Sequence, residues 1–164
     1  MPITEIVIHK SIIDKFKKAA LNFYPKEHIQ AVLGKQIGNR LNICAFYDMS
    51  VSKRINNKEE ISISYECPEI ELEEGSPYKY FGNIHTHPGG PLKYSNWDAK
   101  EFLDRSINDL ADVNKYQHEL LSGKIMGIMQ LNKVKNGCQY GIIFYNENLE
   151  IIPIIISETK EKRQ

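Results

Sequence analysis

Apolar positions change their spacing along the chain, and the changes mark the elements. Residues 3–9, ITEIVIH, are rich in β-branched side chains and predict a first strand. In KSIIDKFKKAALNFY (10–24), Ile12, Ile13, Phe16, Ala19, Ala20 and Phe23 recur at helical spacing, which predicts an amphipathic helix ended by Pro25. HIQAVLGK (28–35) and RLNICAFYDMSV (40–51) predict a hairpin around the turn QIGN. KYFGNIHTH (79–87) predicts the next strand. SNWDAKEFLDRSINDLADV (95–113) starts as a helix with Trp97, Phe102 and Leu103 inward. KIMGIMQL (124–131), CQYGIIFYN (138–146) and LEIIPIII (149–156) predict three closing strands. The last two are so apolar that they are expected to be buried.

Between the hairpin and the KYFGNIHTH strand, residues 53–78 are polar and too few to hold a core. They read as an insertion or flap. Residues 158–164 read as a polar tail. The order of elements argues one α/β domain over residues 1–157: a single mixed β-sheet with helices packed on its faces.

Composition narrows the function. The 164 residues carry 21 basic and 21 acidic side chains, a balance that gives no case for nucleic-acid or membrane-surface binding. Cys44, Cys67 and Cys138 form no C-x-x-C pair, and an odd, sparse set fits a reducing compartment. No signal peptide or membrane span is read, so the expected location is the cytoplasm.

The chemistry gathers in NIHTHPGGPLKYSNWD (83–98). Strand side chains alternate, so His85 and His87 share a face and Thr86 points the other way. Two imidazoles on one face can converge on a cation. Pro88 stops the strand, and a Gly-rich loop leads to Ser95 and Asp98, three residues apart at a helix start. Taken alone, Ser-x-x-Asp is also a helix capping box. With the histidines, the aspartate makes a three-ligand set that leaves a fourth tetrahedral position open, the pattern of a catalytic zinc. Other histidines, His9, His28 and His118, read as ordinary surface or half-buried residues. His118-Glu119 does not continue into H-E-x-x-H, and no base-deaminase, G-x-S-x-G or Walker signature occurs.

This spacing resembles the JAMM (MPN+) metalloprotease family, whose signature is His-x-His-Pro, six residues, then Ser-x-x-Asp, with a glutamate upstream. His85, His87, Pro88, Ser95 and Asp98 match it. KEHIQAVLG resembles the glutamate segment, with Glu27 and Gly34 in place. The chain departs from the family at Tyr94, where Pro is common before the serine, and at Gln30, where Gly is common. The resemblance implies the αβα arrangement that this family shares with cytidine deaminases. It implies one zinc per chain held by His85, His87 and Asp98, proton transfer by Glu27, and an oxyanion hydrogen bond from Ser95. Without it, Glu27 is not distinguished from Glu66, Glu69, Glu71, Glu73 and Glu74.

The implied activity is hydrolysis of peptide or isopeptide bonds after the tail of a ubiquitin-like or sulfur-carrier protein. An MPN-type scaffold working only in a complex, or a peptidase for small or cell-wall peptides, remains an alternative. In the 53–78 insertion, Ile61, Ile63 and Tyr65 alternate with polar residues and could add as a strand beside an extended substrate. The insertion also reads as a solvated acidic loop. Cys67 within it is a further candidate thiol.

Overall fold

A computed structural model describes residues 2–48, 78–94 and 123–158. The predicted flap, apart from Tyr78, and the helix beginning at Ser95 lie outside the described residues.

The first strand, β1 (Glu5–His9), runs directly into a helix, α1 (Lys10–Leu21). His9 makes the junction as the N-cap, its Nδ1 accepting from the Ser11 N–H at 3.1 Å. The helix buries Ile13, Phe16 and Ala20 at the predicted spacing. It stops at Leu21, before Pro25. There the N–H groups of Asn22, Phe23 and Tyr24 bond three residues back, to Ala19, Ala20 and Leu21, and the last turn tightens. Phe23 therefore faces inward from a turn rather than from the helix.

Next come β2 (Ile29–Ile37) and β3 (Arg40–Asp48), the predicted hairpin, closed by a two-residue turn at Gly38–Asn39. They are followed by β4 (Lys79–Pro88), β5 (Ile125–Val134), β6 (Gly137–Asn146) and β7 (Ile154–Ser157). Among the described residues, seven strands form one sheet in the order β6-β5-β4-β2-β3-β1-β7. The sheet is mixed: β4/β5, β1/β3 and β1/β7 pair in parallel, and β2/β3, β2/β4 and β5/β6 are antiparallel. This agrees with the α/β, single mixed sheet read from the sequence.

The main core lies under α1. Phe16 meets Phe46 edge-on at 5.5 Å, and Ile84, Met129, Leu131 and Phe144 continue the layer across β4, β5 and β6. Gly127 opens space for it, because a Cβ there would stand 2.5 Å from the Phe144 ring. A second cluster of Met126, Ile128 and Tyr145 occupies the other face.

The expectation that both closing strands are buried does not hold. β6 and β7 are the two edges of the sheet, and an edge strand covers only part of its surface. Ile151, Ile155 and Ile156 remain 63%, 46% and 46% exposed. Cys44 is held inside the hairpin, its Sγ donating to the Leu33 carbonyl at 3.3 Å, and burial pushes its thiol pKa up.

Candidate metal centre

The central strand β4 carries both histidines. It is held on one side by β2 and on the other by β5, so their backbone positions are fixed by two ladders. His85 and His87 share one face, and their Nε2 atoms approach to 3.1 Å. Two nitrogens bound at about 2.0–2.1 Å to one tetrahedral zinc stand about 3.3 Å apart. The imidazole pair thus has the separation that a shared ion requires.

A second contact fixes the state of one ring. His87 Nδ1 lies 3.1 Å from the Pro91 carbonyl oxygen. A carbonyl accepts, so Nδ1 carries the hydrogen and the Nε2 lone pair faces His85. The loop returns to the ring through a tight turn. Gly90 N–H donates to the His87 carbonyl at 3.2 Å, and Gly89, at φ +70, takes the left-handed position that follows proline in a type II turn. The Gly89 N–H also donates to Leu131 on β5 at 3.0 Å.

The β2/β4 register runs back to His28. Ile29 pairs with His85 and Gln30 with Ile84. One step further along, His28 meets Thr86: the Thr86 N–H donates to the His28 carbonyl at 3.0 Å, and the His28 N–H donates to Thr86 Oγ1 at 2.8 Å. Glu27 precedes His28 in the segment that leads into β2. Among the described residues no three His, Cys, Asp or Glu side chains gather tightly enough to hold a metal. Ser95 and Asp98, and Ile61, Ile63 and Tyr65, lie outside the described residues, as do Cys67 and His118.

The opposite face of the same strands is also polar, which the sequence reading missed. His28 is fully buried, not half-exposed. Its ring stacks on Phe23 at 4.8 Å and 8°, lies 5.5 Å from Phe16, and its Nε2 is 3.0 Å from Gln30 Nε2. Gln30, one of the two departures from the JAMM pattern, therefore faces away from the imidazole pair. The other, Tyr94, packs edge-on against Tyr145 at 5.0 Å. Alternation hinted at the burial of Thr86. Nothing in the sequence marked the Pro91 carbonyl.

The sequence matches no protein-family model and no curated protein. The structure is more informative. It superposes on a JAB1/MPN domain protein from Archaeoglobus fulgidus with a TM-score of 0.52 at 16% identity, covering 94% of this chain and 99% of that one. The fold is that of JAB1/MPN domains. A protein from Desulfitobacterium hafniense, known from its solution structure, gives the same TM-score of 0.52 at 14% identity, covering 95% of both chains. At these identities the likeness is one of JAB1/MPN fold. It agrees with the resemblance carried by His85, His87, Pro88, Ser95 and Asp98.

Proposed function

We propose that this JAB1/MPN-fold chain is a zinc-dependent hydrolase of peptide or isopeptide bonds. The observation that carries the reading is the convergence of His85 and His87 at 3.1 Å, with the far nitrogen of His87 committed to a carbonyl. A carbonyl behind a ligating imidazole is the usual support for a metal-binding histidine.

His85, His87 and Asp98 hold the ion in this reading, one per chain. Zinc, when bound, supplies Lewis acidity and makes water a competent nucleophile near neutral pH. Glu27, which the family resemblance puts in the proton-transfer position, accepts the proton of the attacking water and passes it to the leaving amine. Ser95 donates a hydrogen bond to the oxygen of the scissile carbonyl as charge builds on it. The Ile29, Ile128 and Ile143 side chains share the row of His85 across β2, β5 and β6 and give it apolar neighbours along the sheet.

The substrate in this proposal is the extended tail of a ubiquitin-like or sulfur-carrier protein. Its close passage by the metal favours glycine, and Ile61, Ile63 and Tyr65 pair with its backbone. The reading is tested by metal analysis of the purified protein, followed by incubation with a ubiquitin-like protein fused through a Gly-Gly end. One zinc per chain and cleavage after the glycines are expected. A protein that takes up no zinc on titration removes the basis of the reading. A zinc-loaded protein that cleaves only beside a second subunit is a scaffold-dependent enzyme instead.

A further inference from the structure

We propose that the loop from Pro88 to Tyr94 is a clamp that sets the tautomer and direction of His87, and that its anchors on β6, Gly141 and Tyr145, are positioning residues for metal capture. The inference rests on the zinc reading above, but the clamp itself is observable in the metal-free protein.

A neutral imidazole carries one proton and places it on either nitrogen. With the proton on Nε2, His87 would present a hydrogen where an ion must bind. The Pro91 carbonyl at 3.1 Å from Nδ1 removes that choice, provided the loop stays in place. A single loop carbonyl is a weak restraint unless the loop is fixed, and two contacts on the far side of β5 fix it.

The first is Leu92. Register carries the row of His87 through Gln130 on β5 to Gly141 on β6, all on one face. A Cβ built on Gly141 would stand 2.6 Å from Leu92 Cδ2, so Leu92 occupies the space that a side chain at 141 would fill. Glycine within a strand weakens it relative to alanine. Here that cost opens the seat for the loop. The second contact is Tyr94, two residues on, whose ring meets Tyr145 at 5.0 Å and 74°. Between the type II turn at Gly89 and these two seats, Pro91 has little freedom. The loop crosses from β4 over β5 to β6, and its middle carbonyl is held against the imidazole.

The clamp makes Tyr94 more than a tolerated departure. Proline at this position stiffens a loop through its backbone. Tyrosine instead fixes it through a ring contact two strands away.

The test uses the full chain, labelled with ¹⁵N and freed of metal at pH 8. Long-range ¹H–¹⁵N correlation reads the tautomer of His87, and competition with a chromophoric chelator reads zinc affinity. Wild type is expected to show Nδ1–H on His87. Tyr94→Ala and Gly141→Val are expected to show mixed tautomers and about 10- to 100-fold weaker zinc binding, the usual loss when support behind a ligand is removed. Tyr94→Phe keeps the ring and should restore both readings. If Gly141→Val does not fold, Tyr94→Ala alone carries the test. Nε2–H on His87 in wild type overturns the clamp. So does an unchanged tautomer with zinc affinity within twofold of wild type in Tyr94→Ala. A wild type with Nδ1–H, lost in Tyr94→Ala, that nevertheless takes up no zinc supports the clamp and sinks the zinc reading.

Discussion

Across the β2/β4 ladder the sheet is polar on both faces, and the two faces treat histidine differently. On one, His28 is enclosed by Phe16 and Phe23, tied to Gln30, and bonded through its backbone to Thr86. On the other, His85 and His87 turn two ring nitrogens toward each other. His28 and Thr86 close a polar contact with aromatic cover. His85 and His87 set two ring nitrogens at the separation of a shared ion. A histidine is thus read not by its presence but by which face it occupies and what its second nitrogen meets.

The comparison can be broken most severely on the imidazole face. His87→Ala should abolish zinc uptake and turnover while the protein still unfolds cooperatively, measured by metal analysis and thermal melting. Loss of the fold instead would mean that His87, like His28, is structural. Glu27→Gln should remove turnover and leave one zinc per chain. Near-full activity in this variant would return the proton-transfer role to the acidic residues of 66–74. Ser95→Ala is expected to cost about 100- to 1,000-fold in kcat.

On the other face the expected effects are on stability. His28→Ala empties a site between two phenylalanines and should cost about 2–4 kcal/mol. For a domain of this size that is a fall in Tm of roughly 5–15 °C. Zinc per folded chain should be unchanged at temperatures well below the melt, and a loss of zinc in step with Tm would erase the distinction between the faces. Smallest is Thr86→Val, which leaves the His28 N–H without its hydroxyl acceptor and should cost about 1–3 kcal/mol, with Thr86→Ser close to wild type.

Much of this was legible in the chain. Strict alternation gave His85 and His87 one face and Thr86 the other, and the structure agrees. The helix, the hairpin and the strand carrying the histidines followed from local spacing. Three things did not. Sheet order depends on pairings between distant segments, so nothing local announced that β4 lies between β2 and β5, or that β6 and β7 are edges. Glu27 was singled out by family resemblance alone, because its sequence neighbours do not distinguish it from the acidic residues of 66–74. His28 read as a surface or half-buried residue because it sits in a polar run, KEH, whose neighbours give no sign that Phe16 and Phe23 close over it.

The interior position of β4 has a consequence in time. Local opening of a sheet begins where backbone groups are least enclosed, here at the outer strands β6 and β7. The amide of Thr86, bonded to the His28 carbonyl just before β2 and flanked by β5, should exchange with solvent only when the whole sheet parts. The imidazole pair would then survive partial unfolding of the edges, and an ion leaving the protein would depart from an intact pair rather than from a loosened one.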